Sequence, residues 1–263
     1  MSTAATPQAM ERTRRQSASR GIPFGRLLLV ELRKMVDTRS GRWLLATIAG
    51  LALVVLVAMI FIEEVPRTFA VFAQAATVPV GILLPVVGIL TMTSEWSQRT
   101  ALVTFSLEPR RARVIAAKSL AALLVTIGVL ALVLLLSAAA LAIAGLRQDV
   151  SPTWAPDSAT RFGLSLIPHV IGMVMGLAFG LLLTNSAAAI VIYYVLPLAV
   201  QMLFVWDKAR PVLEWAGPEV VSRPFGAADV TTQQWQQAAT SGAIWILIPF
   251  VVGTLITLRR EAK

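Results

Sequence analysis

The sequence predicts an all-α polytopic membrane protein, with six transmembrane helices behind an N-terminal amphipathic interfacial helix and both termini cytoplasmic. Three observations carry this reading. First, six apolar stretches run approximately Trp43–Ile62, Phe69–Met92, Ser119–Gly145, Phe162–Leu183, Ala187–Trp206 and Ala243–Leu258. Each is near or above the roughly 20 helical residues that cross a hydrocarbon core about 30 Å thick. Second, none of them alternates in polarity, as a membrane-spanning barrel strand must. Third, charge is distributed unevenly. The side holding the termini and the segment 94–118 carries 17 Lys/Arg against 6 Asp/Glu, and the opposite side carries 6 against 8. The positive-inside bias therefore places both ends in the cytoplasm. The net charge of +9 reads as orientation and attraction to anionic lipid, not as nucleic-acid binding.

In chain order, residues 1–22 form a basic tail rich in Ser, Thr, Ala and Arg without apolar period, expected to be disordered. Arg14-Arg15 is too far from the first apolar run for a signal peptide. Residues 23–41 read as an amphipathic helix. Phe24, Leu27, Leu28, Leu32, Met35 and Val36 recur at helical spacing, with Arg26, Arg33, Lys34 and Asp37 opposite. Pro23 suits a first turn, and Ser40-Gly41 is the expected end. Such a helix lies in the membrane interface, as an anchor, as a contact for a cytoplasmic partner, or as both.

The six-span domain fills residues 42–263. Trp43 marks the inner end of the first span, as interfacial aromatics do, and Glu63–Arg67 makes a tight outer turn. Pro79, Gly81, Pro85 and Gly88 in the second span predict a kink or local unwinding. The third stretch is long enough that it must tilt or emerge from the membrane. In the fourth, Gly172, Gly176 and Gly180 form one smooth stripe for close helix approach, either within the bundle or between subunits. Thr184-Asn185-Ser186 is a tight turn. Residues 207–242 are too broken by Pro and Gly to span and too rich in Trp for a solvated loop, so short helices dipping into the outer interface are expected. A short last span of about 16 residues ends at Arg259-Arg260.

Chemistry is sparse. There is no Cys, His169 is the sole histidine, and no carboxylate falls inside an apolar stretch, so no metal site is expected. No Gly-x-x-x-x-Gly-Lys-Ser/Thr phosphate loop occurs, which excludes that route to ATP. Glu63-Glu64 lacks the second histidine of a membrane protease, and His169 has no glycine–serine elbow to serve. His169 itself, just after Pro168, is an intramembrane ionisable group. It either satisfies a freed backbone carbonyl or contacts a translocation pathway. Gln74 and Gln201 either join helices or line a cavity.

The segment 94–118 is the informative polar stretch. Glu95 closes the second span. A short helix with apolar Leu102, Val103 and Phe105 follows, Glu108-Pro109 breaks it, and Arg110, Arg111 and Arg113 lead into the third span. A surface helix with an apolar face and charged flanks is shaped to enter a partner's groove. A solvated positive-inside loop accounts for the arginines but not for the apolar face.

This arrangement resembles the permease subunits of type 2 ABC exporters. The resemblance rests on an amphipathic helix, six spans, and a loop of the form Glu-x-x-x-small-Thr, then Pro, then Arg-x-x-x-x-x-x-Lys. Glu95, Thr100, Pro109, Arg111 and Lys118 match it, and Arg99 stands where the family usually has Gly. The resemblance implies that the loop is a coupling helix docking on a separate ATPase, which binds ATP and Mg in two copies while this chain binds no cofactor. The coupling residues would be Glu95, Arg99, Thr100, Leu102, Val103, Phe105, Glu108, Pro109, Arg110, Arg111 and Arg113. It also implies a second permease chain, identical or paralogous, and re-entrant helices at 207–242. The expected function is outward movement of a hydrophobic or amphiphilic drug, peptide or lipid across a bacterial cell membrane. The alternative is a non-transporting membrane receptor or immunity-type binding protein, which would not need the apolar-faced loop.

Overall fold

A computed structural model describes residues 22–148, 150–154, 159–227 and 229–259. Residues 1–21 of the basic tail and the last four residues lie outside the described residues. Among those described the chain builds helices and no strands, and six helical runs are long and apolar enough to cross a membrane.

Helix α1 (Phe24–Asp37) meets α2 (Arg39–Phe61) at Thr38. The amphipathic helix therefore ends before Ser40-Gly41, the expected boundary. The reason is local: Thr38 adopts extended backbone and its hydroxyl accepts from Gly41 N at 3.2 Å, which starts a new helix. Gly41 is required there, because a Cβ would overlap the Met35 carbonyl. At its far end α2 is closed by an arginine. Arg67 is 8 % exposed and donates to the carbonyls of Met59 and Ile62, both at 2.8 Å. These are the carbonyls a helix end leaves without partners.

Helix α3 (Phe69–Ser97) is the centre of the bundle and packs against α2 and four later helices. It runs unbroken through Pro79 and Pro85, so the expected local unwinding does not occur. Neighbouring side chains approach two carbonyls of this segment. Tyr194 Oη donates to Ile82 O, and His169 Nε2 lies 3.1 Å from Thr77 O.

The short α4 (Ala101–Leu107) links α3 to α5 (Arg111–Gln148). At 1.5 Å per residue α5 is about 57 Å long, well beyond the hydrocarbon thickness. Its apolar part starts near Ser119, so its first turns and the end of α3 project together past the apolar zone, carrying α4 between them. After the loop 150–154 come α6 (Ala159–Leu164), α7 (Ile167–Leu183) and α8 (Ser186–Met202). Helix α7 lies along α3, while α8 covers α3 and α7 from outside, with Ala189 its buried residue.

The chain then passes through a 3-10 turn, Leu203–Val205, to α9 (Arg210–Ala216), a second 3-10 turn at Pro218–Ser222, and α10 (Arg223–Gly226). Helix α11 (Thr232–Gly242) follows and continues through a π-helical turn, Ala243–Leu247, into α12 (Ile248–Arg259). The last span is thus a 28-residue run from Thr232, not the short one expected. A capping box between Thr231 and Gln234 starts it. Its first turns are polar, which hides them from a hydropathy reading. The turn after α9 is pinned to this helix: Ser241 Oγ donates to Gly217 O and Trp245 Nε1 to Ala216 O, both at 2.7 Å.

The glycine stripe of α7 is filled from within the chain. A Cβ on Gly176 would overlap Pro85 O of α3 and sit 3.0 Å from its Cα, and one on Gly180 would be 2.9 Å from Ile89 O. Gly172 is looser, 3.4 Å from the Pro85 ring. Gly88 on α3 returns the fit against Met173. Of the two expectations for this stripe, close packing inside the bundle is the one observed.

Candidate functional site

Helix α4 and its flanks form the candidate site. Helix α3 ends at Gln98, and Arg99 turns the chain with φ 56°, in the left-handed region. A non-glycine residue is disfavoured there by about 1 kcal/mol or more, and glycine is not. Thr100 N donates to Glu95 O at 2.9 Å, which closes the turn. Ala101 is buried, so the helix is anchored by its first residue.

Leu102, Val103 and Leu107 are 56 %, 60 % and 67 % exposed. Phe105 faces the other way: its ring lies 6.2 Å from Trp96, with the Arg111 guanidinium 4.7 Å above it. The structure thus divides the predicted coupling residues. Leu102, Val103, Thr100, Arg99, Pro109 and Arg110 are exposed. Glu108 is buried and accepts from Arg113 at 2.9 Å, Arg113 also reaches Ile22 O at 2.8 Å, and Arg111 donates to Thr257 O at 2.7 Å. These last three side chains, with Phe105, tie α4 to α1 and to the end of α12. Leu107, absent from the sequence-based set, joins the exposed rung.

Beneath α4 lies a cluster that sequence reasoning missed in part. Glu31, Glu95 and Lys118 are 1 %, 3 % and 4 % exposed. Lys118 Nζ sits 2.7 Å from Glu31 and 2.8 Å from Glu95; Lys34 Nζ sits 2.7 Å from Glu31 and 3.2 Å from Glu95. Ser94 Oγ donates to the second Glu95 oxygen at 3.0 Å, and Lys118 also donates to Thr91 O at 3.1 Å. Two carboxylates and two ammoniums thus join α1, α3 and α5 in one charge-balanced network. Burial lowers the Lys34 pKa, but the Glu31 and Glu95 carboxylates outweigh it and hold the group above its ordinary range. Its stabilising charge is then fully present at neutral pH and fades only as pH rises past the raised value. Removing one partner of such a buried set is far more damaging than the set is stabilising, so its main effect is to fix how the three helices sit together.

A sequence signal for Glu31 existed. Leu27, Glu31 and Met35 are spaced by four and form the buried stripe of α1. A lone carboxylate on an apolar stripe demands a cation from another element.

At the other end of the bundle His169 separates two cavities of about 240 and 260 Å³ that share it and Gly81. Gln74, Thr77 and Ser165 line the first; Tyr193, Pro218 and Ser222 line the second. His169 Nδ1 also faces Leu166 O at 3.3 Å. Both ring nitrogens face backbone carbonyls, one in its own chain turn and one on α3. His169 thus faces a carbonyl of α3 and lines both cavities. Gln74 joins it, whereas Gln201 lies exposed in the last turn of α8, away from both cavities.

No protein-family model matches this sequence, and no curated protein matches it either. Function is therefore argued from the geometry alone.

Proposed function

We propose that this chain is the membrane-spanning subunit of an ATP-driven exporter of the ABC type, with both termini and α4 on the cytoplasmic side. One observation carries the reading. Helix α4 stands beyond the apolar zone on two over-long spans, shows an outward rung of Leu102, Val103 and Leu107, and is braced from behind by buried ion pairs. A rung of that kind needs a cover, and a groove on a separate ATPase would bury it while Arg99 and Arg110 flank the contact.

The brace gives the rung a mechanical use. Force on α4 passes through Glu108–Arg113 to α1 and α5, and through Glu95–Lys118 to α3, the helix that touches most of the bundle. ATP-driven closure of two partner ATPases would therefore shift α1, α3 and α5 as one body, which is rigid-body switching rather than local unfolding. ATP and Mg belong to the partner, and a second permease chain, identical or paralogous, completes the pathway. Among the described residues the charges within the spans sit at their ends, Arg147 at the far end and the others at the α4 end, and none lies at mid-span. That favours a hydrophobic or amphiphilic cargo, drug, peptide or lipid, over an inorganic ion.

The test is ATP hydrolysis in vesicles. Reconstituted with its partner, the chain should change the partner's hydrolysis rate and make it sensitive to cargo. Failure of the chain to recruit any ATPase from its own membranes would favour a receptor without a motor.

A further inference from the structure

The geometry points to a binding site for one anionic phospholipid in the cavity between α1, the start of α2, and the α3–α4 corner. The cavity measures about 260 Å³ and has two unlike halves. Met35, Leu44, Val87, Leu90 and Val103 make an apolar wall. Glu31, Lys34, Glu95 and Lys118 close its floor, with Ser40 and Thr104 among the hydroxyls beside them. Water alone fits poorly, because the apolar wall offers it no partners. A purely apolar occupant fits poorly too, because it would cover the ammonium of Lys34.

Charge selects the occupant. Within the floor the two carboxylates and two ammoniums balance. Lys34 is the member that reaches solvent, with its side chain 40 % exposed. Its ammonium has three donors, and Glu31 and Glu95 accept from it, which leaves capacity for one more acceptor. The rim is basic. Arg39 and Arg42 are exposed on either side of the lining residues Ser40 and Gly41, and Arg99 is exposed between Gln98 and Thr100. Asp37 is the acid exposed next to this rim. A phosphate on the Lys34 ammonium, with the first carbons of an acyl chain along Leu44 and Leu90, satisfies both halves. The amphipathic α1 gives the site its depth, since such helices lie where headgroups meet acyl chains. A lipid seated there contacts α1, α2, α3 and α4 together. The site adjoins the rung of α4, since Val103 borders both, but the lipid assignment does not rest on the exporter reading: a titration made without an ATPase tests it.

The experiment titrates delipidated full-length protein in detergent with phosphatidylglycerol, phosphatidylcholine or inorganic phosphate. Native mass spectrometry counts bound lipid, and tryptophan fluorescence follows thermal unfolding. The expected result is one phosphatidylglycerol per chain, bound about tenfold tighter than phosphatidylcholine, as one charge-assisted contact implies, with no effect of phosphate alone. Arg39→Gln with Arg42→Gln, outside the buried network, should erase the headgroup preference. Leu90→Trp, which fills the apolar wall, should weaken binding of both lipids, and Leu44→Trp serves if that variant fails to fold. Equal binding of the two lipids, a variable number of lipids per chain, an equal effect of inorganic phosphate, or unchanged binding in the filled-cavity variant would each overturn the assignment.

Discussion

Alanine substitutions along the α7 glycine stripe should separate sharply, although the three sites share a helix and a residue type. In a helix interior Ala is favoured over Gly by about 1 kcal/mol. At Gly172 the added Cβ would meet the Pro85 ring at 3.4 Å and Tyr193 Oη at 3.5 Å, ordinary contact distances, so that gain should survive. At Gly176 the Cβ would run into Pro85 backbone, with its Cα and carbonyl carbon both at 3.0 Å. Backbone cannot rotate aside as a side chain can, so α3 and α7 must separate. Overpacking of this kind typically costs about 1–3 kcal/mol. Gly172→Ala should therefore be neutral or stabilising, and Gly176→Ala destabilising by up to about 2 kcal/mol after the propensity gain. The propensity gain is common to both, so about 1–3 kcal/mol between the variants corresponds to roughly 5- to 150-fold in the unfolding equilibrium. Gly180→Ala, at 2.9 Å from Ile89 O and 3.0 Å from Met92 Cβ, should fall between them. Unfolding of each variant in mixed micelles, followed by the fluorescence of the seven tryptophans, reads the order. Equal stability at Gly172 and Gly176 would mean that α7 does not lie on α3 as described.

Three further expectations follow from the site. Lys118→Ala leaves two buried carboxylates facing one ammonium and should cost about 3–5 kcal/mol, whereas Lys118→Met with Glu31→Met removes a charge pair and should recover most of that loss in the same unfolding assay. Arg99→Gly relieves the left-handed backbone and should stabilise the α3–α4 corner by about 1 kcal/mol, seen as slower hydrogen exchange at Thr100 and Ala101; faster exchange would contradict it. Cysteines placed at Glu64 and Glu219 should react with an impermeant reagent in intact cells, and one at Arg110 only after permeabilisation; the reverse pattern would invert the proposed orientation.

The spans were legible because length and apolarity alone define them, and the structure moves their ends more than their centres. Hydropathy failed where a helix continues through polar residues. Thr232–Gly242 carries four glutamines and so reads as loop, yet its Thr231–Gln234 box is a written start signal. It also failed at α1, where one hydroxyl bond from Thr38 ends one helix and begins the next. The loop 94–118 was recognisable as a unit, but which of its arginines face outward was not. That depends on Thr257 O and Ile22 O, partners 146 and 91 residues away, which no local pattern encodes. Glu31 illustrates both sides of this. Its place on an apolar stripe announces a buried partner, while the identity of Lys118 emerges only when α1 and α5 are brought together.

The central claim is that the exposed rung of α4 holds a separate ATPase. Leu102→Ser, Val103→Ser and Leu107→Ser together should leave folding intact, since these side chains are exposed and Phe105, which packs inward, is untouched. The direct measurement is affinity purification of the wild-type and triply substituted chains from their own membranes, with the co-purifying ATPase quantified against each. The account predicts that the wild-type chain brings down an ATPase carrying a phosphate loop and that the variant loses it by at least about tenfold, as removal of a few central apolar anchors commonly does. Equal recovery of the ATPase by both chains would contradict it.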